Sequence, residues 1–263
     1  MWSPFRKLGA ALARYLSEPN DHGTAYQATP LEVLQQLLEP GDVVLVEGNS
    51  RFSTAIKYLT QSSWSHAVLY VGPALPLISD DDQPKVLVEA DINEGVRAIG
   101  LSELETFHTR ICRPVGLSAE DRDAVVRFVV SRLGHRYDLK NVIDLARYLI
   151  PTPPVPSRWR RRMIALGSGE PTRAICSTLI AQAFQAVRYP ILPNVVVEPG
   201  TDPSCLACQH EILHIRHHSL FTPRDFDVSP YFQIIKPTLE LGFDYRTIHW
   251  ADPATPTSAS VEA

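Results

Sequence analysis

The sequence contains no apolar run approaching the roughly 20 residues that a membrane-spanning helix needs. It has little excess charge: the formal net charge is -4, whereas a nucleic-acid binder is usually basic. Its first residues lack the long apolar core and cleavage site of a secretory signal, so we expect a cytoplasmic protein. Only 4 cysteines occur, too few and too unevenly spaced for a disulfide scaffold, and we expect reduced thiols.

What remains is an ordinary globular composition. Hydrophobic residues make up 44% and charged residues 21% of the 263 residues, which is enough material for a core. We expect an amphipathic helix and linker at residues 1–28, one domain over residues 29–250, and a disordered tail at residues 251–263.

Apolar patterning predicts most of the secondary structure. A helix is predicted to begin at Thr29, Pro30 and Leu31, with a capping box and with proline at the first helical position. Two of the predicted strands, residues 85–90 and 95–99, are expected to form a hairpin. The other predicted strands are residues 42–47, 66–71, 109–115 and 231–236. Further helices are predicted at residues 53–60, 140–149 and 176–187, and after a cap at Ser118.

Cys176 is a candidate nucleophile because it opens an amphipathic helix. It shares one helical face with Ile180 and Phe184, so its thiol lies in the first turn and points toward the protein. The free N–H groups and partial positive charge of a helix N-terminus favour thiolate over thiol. The same groups could hold an oxyanion. The alternative is a small buried hydrophobic residue, which free cysteines often are.

His66 and Glu89 are the candidate partners of this thiol. His66 opens an apolar strand, and strand ends present catalytic groups on a rigid scaffold. Glu89 interrupts another apolar strand, and a carboxylate beside His66 would fix its tautomer and stabilise its imidazolium form. The structural alternatives are a tolerated edge histidine and a solvent-facing glutamate.

These residues lie in short motifs that resemble those of the permuted NlpC/papain-like cysteine hydrolases, in their YiiX/YebB-like branch. Their order along the chain, with histidine and glutamate before cysteine, is the circularly permuted order. Segments at residues 134–138 and 222–226 also resemble that branch, so the resemblance covers roughly residues 40–240. The motifs are Gly41-Asp42, Ser65-His66-Ala67, Val88-Glu89-Ala90 with Gly95-Val96, and Cys176-Ser177-Thr178-Leu179-Ile180.

The resemblance implies an α+β, permuted papain-like (NlpC-type) fold, with a small antiparallel sheet or half-barrel packed against helices. It also implies a thiol-dependent hydrolase, an amidase, peptidase or acyl hydrolase with acyl transfer possible, that needs no cofactor for catalysis. His66 would take the Cys176 proton, or hold an imidazolium–thiolate pair, and Glu89 would orient His66. Residues 150–172 and 189–220 depart from the family pattern and are interpreted as insertions.

Further residues are candidates for substrate contacts. The backbone N–H of Cys176 is expected to stabilise the oxyanion. Tyr137, Ser65 and Ser177 are additional candidates for contacts to the substrate or the oxyanion. The sequence does not decide which amide, ester or lipid-like molecule is the substrate.

A second group of chemistry-bearing residues lies at residues 205–218. Cys205 and Cys208, followed by His210 and His214, have a spacing typical of zinc ligands, and zinc would staple a long loop. The spacing differs from that of a standard zinc finger, so a polar loop with incidental thiols is the alternative. A zinc-stabilised or catalytically inactive binding module with the same fold is therefore the alternative for the whole protein.

Two basic and aromatic segments indicate possible contact with a membrane surface. Residues 1–17 form an amphipathic pattern after Trp2, and residues 158–166 place Trp159 among arginines beside apolar residues. The alternatives are a helix packed on the domain and a solvated basic face. The expected partners are thus a small amide, ester or lipid-like substrate and a membrane surface, without nucleic acid.

Overall fold

The computed structural model describes residues 28–75, 84–91, 94–135, 175–199 and 209–249. The helices are α1 (Leu31–Leu37), α2 (Arg51–Thr60), α3 (Ala119–Val130), α4 (Ile175–Ala186), α5 (Pro223–Asp227) and α6 (Pro237–Glu240). The strands are β1 (Val43–Glu47), β2 (His66–Tyr70), β3 (Lys85–Asp91), β4 (Gly95–Gly100), β5 (His108–Pro114), β6 (Asn194–Pro199), β7 (Gln209–His214) and β8 (Phe232–Ile235). Single 3-10 turns lie at Gly72–Ala74, Leu101–Leu104, His218–Leu220 and Tyr245–Thr247.

Six strands form one antiparallel sheet in the order β4-β3-β2-β1-β5-β8. All five residues of β1 are buried, as expected for a central strand with neighbours on both sides and cover on both faces. The predicted hairpin of β3 and β4 is present. The sheet is open, with β4 and β8 at its edges, and the fold is the α+β arrangement of an antiparallel sheet packed on helices.

Strand alternation divides the core into two layers. Val43 and Leu45 face α3 and α4, while Val44 and Val46 face α1 and the turn after β4. Phe184 of α4 is fully buried in the first layer, and burying a side chain of this size contributes roughly 1.5–3 kcal/mol. Helix α4 is therefore held against the sheet by its apolar face, and its first turn has a fixed position.

The predicted capping box of α1 is wrong. Pro30 has an extended backbone and precedes the helix, and its carbonyl accepts the N–H groups of Val33 and Leu34 at 3.1 Å each. Thr29 lies one residue too early to serve as the cap, and no side chain caps this helix. In α3 the prediction is confirmed, because the Ser118 hydroxyl accepts the N–H of Asp121 at 3.1 Å.

The Gly41-Asp42 motif has a structural role at the start of β1. Gly41 has a φ of +95°, a conformation that favours glycine, and its N–H donates to the carbonyl of Tyr70 at 2.8 Å. Asp42 is 1% exposed, and its carboxylate accepts from Arg113 Nε at 3.0 Å and Nη2 at 2.8 Å. A buried carboxylate of this kind needs such a partner, so Asp42 and Arg113 tie β1 to β5.

Strands β6 and β7 form a separate two-stranded sheet that the sequence prediction missed. Val195 pairs with Leu213 and Val196 with Ile212, and these side chains are 38–50% exposed. The run of β-branched residues was the available signal for β6. The hairpin lies within residues 189–220, the segment interpreted as an insertion.

Several sequence predictions concern residues outside the described ranges. These are the amphipathic segment 1–17, the helix at 140–149, the basic segment 158–166 and the tail 251–263. Where the structure does describe the chain, no helix is both long enough and apolar enough to cross a bilayer.

Candidate active site

The site forms where β2 and β3 separate. Leu69 pairs with Val88 and Tyr70 with Leu87, and the Val71 N–H donates to the Val86 carbonyl at 2.8 Å, but this pairing does not extend back to His66. On its other side, β2 remains paired with β1 down to His66, which lies opposite Val46. The first residues of β2 therefore have a neighbouring strand on one side and an opening on the other.

Cys176, near the start of α4, lies at this opening. In an antiparallel sheet the N–H groups of successive residues point to opposite neighbouring strands, so residues an even number apart point to the same one. Val71 donates to Val86 on the β3 side, so Ala67, in the same phase, also points its N–H toward β3. This N–H donates to the sulfur of Cys176, because β3 offers no pairing partner at that point. A backbone donor on the sulfur favours the thiolate.

His66 joins this thiol to Glu89. Its Nε2 lies 2.6 Å from Oε2 of Glu89. The ring also shares a hydrogen bond with the thiol of Cys176. Since Nε2 faces the carboxylate, Nδ1 is the ring nitrogen left for the sulfur. The structure thus brings the three predicted residues together in the order thiol, imidazole, carboxylate, and His66 keeps 28% of its side chain exposed.

Electrostatics in this row favour an ion pair. Burial raises the pKa of the Cys176 thiol, but the charge and hydrogen bond of His66, with the Ala67 N–H, outweigh it and lower the pKa below its ordinary value. Burial lowers the pKa of His66, but the Cys176 thiolate and the Glu89 carboxylate raise it well above its ordinary value. These directions match an imidazolium–thiolate pair, the reactive form of a catalytic cysteine.

Glu89 is held in its ionised form. Burial alone raises the pKa of this carboxyl group, but the hydrogen bond and charge of His66, followed by those of Arg97, lower it to about 2. Arg97 lies directly opposite Glu89 in the β3–β4 pairing. Its Nε and Nη2 each lie 2.7 Å from Glu89 Oε1. Arg97 was not among the predicted site residues, although the predicted hairpin placed it on the strand beside Glu89.

The two predicted serine contacts are both buried. Ser65 is 2% exposed, and its Oγ accepts the Gly48 N–H at 2.9 Å and donates to the Val46 carbonyl at 3.4 Å. Ser177 is fully buried, with its Oγ 3.9 Å from the sulfur of Cys176, where it helps to lower the pKa of the thiol. Ser65 therefore supports the loop after β1, and Ser177 lies beside the thiol. Tyr137 is outside the described residues, and contacts of all three to substrate stay predictions.

Trp64 anchors the segment that leads into β2. Its Nε1 donates to Asp227 Oδ2 at 3.0 Å, and Arg110 Nη1 lies 2.6 Å from Asp227 Oδ1. The Arg110 guanidinium also lies over the Trp64 ring, 4.8 Å from its centroid. Trp64 is 3% exposed, and its hydrogen bond to Asp227 ties the residue before Ser65 and His66 to α5. This contact was not predicted, since Asp227 lies 163 residues from Trp64 along the chain.

A cavity of about 360 Å³ opens onto Cys176, His66 and Glu89. This volume is in the range of small-molecule sites. One wall is polar and comes from the loop between β1 and α2, and the other is apolar. The polar wall includes Asn49, Ser50 and Ser53, and the apolar wall includes Val46, Ile99, Leu104 and Phe107.

The predicted zinc ligands fall mostly outside the described residues. Cys205 and Cys208 are not described, and of His210 only the backbone, in β7, is. His214 ends β7 with an exposed side chain. Within the described ranges no three His, Cys, Asp or Glu side chains are grouped so that they could hold a metal ion. The zinc site at residues 205–218 stays a prediction.

Comparison with known proteins finds a family model that matches the part of the chain carrying His66 and Glu89. Residues 37–148, which include His66, Glu89 and Arg97 but end before Cys176, match the permuted papain-like amidase family, YaeF/YiiX, C92. Over that region, which is less than half of its length, the chain is similar to this permuted papain-like family. One similar solved structure is described as the metalloprotein yiiX from Escherichia coli O157:H7, with a TM-score of 0.43 and 15% identity. That alignment covers 75% of this chain and 96% of the other. Among curated proteins no match is found.

Proposed function

We propose that this protein is a thiol-dependent hydrolase that cleaves an amide or ester bond through an acyl-enzyme on Cys176. The observation that carries the proposal is the contact of His66 with both Cys176 and Glu89 at the opening of a cavity. The lowered pKa of the thiol and the raised pKa of the imidazole support a nucleophile that is already ionised.

In the first half of the reaction, the Cys176 thiolate attacks the substrate carbonyl carbon, and a carbon–sulfur bond forms. The carbonyl oxygen takes the negative charge, and we assign its stabilisation to the backbone N–H of Cys176. The imidazolium of His66 then gives its proton to the leaving nitrogen or oxygen as that bond breaks. The products of this half are a thioester on Cys176, a neutral His66 and the released amine or alcohol.

In the second half, water attacks the thioester and His66 takes its proton. The carbon–sulfur bond breaks, the acid leaves, and the thiolate and imidazolium are restored. Glu89 remains a carboxylate throughout, which matches the pKa of about 2 that His66 and Arg97 maintain. An alcohol or amine in place of water would make the same enzyme an acyltransferase.

An inactive binding module is the alternative, but it has no need for a thiol whose pKa is lowered below its ordinary value. The test is intact-protein mass spectrometry after exposure to a panel of p-nitrophenyl esters and N-acyl p-nitroanilides. We expect a single acyl adduct on Cys176, absent from Cys176→Ala and retained in Cys112→Ala. No adduct from any donor, together with an unreactive Cys176, would contradict the proposal. The mass of the trapped adduct would also identify the preferred acyl group.

A further inference from the structure

Arg97 is held against the side of Glu89 that faces away from His66. Its Nε and Nη2 both lie 2.7 Å from Oε1, while Oε2 lies 2.6 Å from His66 Nε2. The two oxygens of the carboxylate therefore have different partners. On its other side, Arg97 Nη1 lies 3.2 Å from Oε2 of Glu94, whose side chain is 64% exposed, and such an exposed ion pair contributes little.

Glu89 needs this partner in order to keep its orientation. Its side chain is 9% exposed, so without Arg97 the Oε1 oxygen would be a buried charged atom with no donor. A carboxylate in that state either turns toward water or binds a proton, and both outcomes remove the hydrogen bond to His66. Arginine suits the task because its rigid planar guanidinium presents several donors in fixed directions.

We propose that Arg97 is a positioning residue that holds Glu89 in the orientation that stabilises the imidazolium of His66. The proposal rests on the proposed function for its effect on catalysis. The effect of Arg97 on the protonation of His66, however, can be measured without any substrate. Arg97 also lines the cavity, so its loss alters a wall of the site as well.

Two possible roles of Arg97 predict opposite shifts at His66. If Arg97 acts only as a nearby positive charge, its removal leaves Glu89 in place and raises the pKa of His66, because a repulsive charge is lost. If Arg97 positions Glu89, its removal lets the carboxylate leave and lowers the pKa of His66. A shift of about one pH unit is the scale expected when an opposite charge is lost from contact.

The test is Arg97→Gln, with the His66 imidazole titrated by NMR and its signal assigned with His66→Ala. We expect the pKa of His66 to fall by about one unit. We also expect the rate of Cys176 acylation by p-nitrophenyl acetate to fall by about ten- to a hundredfold, a loss typical of misplaced catalytic groups. An unchanged or raised pKa of His66 overturns the proposal. If the wild-type protein is not acylated, the proposed function fails, while the titration still decides the role of Arg97.

Two further variants separate positioning from stability. Arg113→Gln breaks a similar pair, that of Arg113 with the buried Asp42, which lies just before the start of β1, whereas His66 lies opposite Val46 near its end. It should lower stability and leave the pKa of His66 unchanged. Arg97→Lys keeps the positive charge but loses the planar guanidinium with its paired N–H donors. It should therefore recover only part of the wild-type acylation rate. If Arg97→Gln does not fold, Arg97→Lys decides: a pKa of His66 equal to that of the wild type overturns the proposal.

Discussion

Cys112 and Cys176 are both buried thiols, 0% and 5% exposed, yet their pKa values shift in opposite directions. Cys112 lies inside β5, between Val43 of β1 and Ile234 of β8. Burial raises the pKa of its thiol far above the ordinary value, and the nearby Asp227 raises it further against the opposing charge of Arg110. Burial also raises the pKa of Cys176, but there the contacts with His66 outweigh it.

The difference between these thiols is the continuity of the sheet. Around Cys112 both neighbouring strands are paired, so the strand amides already have carbonyl partners and the thiol meets mainly apolar surface. Around Cys176 the separation of β2 from β3 leaves the Ala67 N–H available and lets the imidazole reach the sulfur. A buried cysteine is therefore reactive where the sheet opens to donors, and inert where it is closed.

The strongest way to break this comparison is to alkylate the native protein. Iodoacetamide reacts with thiolate, so at mildly acidic pH we expect Cys176 to react about a hundredfold faster than Cys112, by peptide mapping. Cys176→Ala should lower hydrolysis of a reactive ester by about a thousandfold or more while leaving the fold intact. Cys112→Ala should keep full activity and lose about 1 kcal/mol of stability. Equal labelling of the two thiols in folded protein would contradict the claim that Cys176 is the more reactive of the two.

The second prediction concerns stability at acid pH. Because the pKa of Glu89 is lowered from 4.5 to about 2, its carboxylate stabilises the fold fully at pH values above 4.5. This contribution is lost as the pH falls from 4.5 through about 2. We expect the loss to be about 3 kcal/mol over this window, measured by urea unfolding as a function of pH. Glu89→Gln should flatten this dependence and lower catalytic activity as well.

Glu94→Gln is the matched control for Glu89→Gln. Glu94 also pairs with Arg97, but its side chain is 64% exposed, so its loss should leave both the acid dependence and the activity close to those of the wild type. An acid dependence as steep in Glu89→Gln as in the wild type would show that Glu89 is not the group responsible. Beside Cys112, by contrast, the charge of the Asp227 carboxylate acts on the thiol itself and raises its pKa.

Sequence reasoning identified the residues whose positions follow from local patterns. The strand of His66, the hairpin of Glu89 and the helix of Cys176 all show clear periodicity, and the structure has these elements within one or two residues. Arg97 was within reach of the same reasoning, since pairing residues outward from the predicted turn places it opposite Glu89.

Other features of the site were beyond local pattern. The Ala67 N–H reaches the sulfur only because β2 and β3 part at that point and α4 packs against both strands. Likewise, Trp64 is anchored by Asp227, which lies 163 residues further along the chain. Such contacts depend on tertiary packing, for which a single sequence carries no periodic signal.

The smallest effect expected is that of Ser177→Ala. The Ser177 hydroxyl, 3.9 Å from the sulfur, is the last of the groups that lower the pKa of Cys176, after His66 and the Ala67 N–H. Its loss should slow alkylation of Cys176 by about threefold at acid pH, the effect of a weak hydrogen bond, and leave the rate unchanged at alkaline pH where the thiol is ionised anyway. Ser219→Ala, which removes another buried hydroxyl, controls for stability. A slower rate at every pH would mean that Ser177 shapes access to the thiol rather than its ionisation.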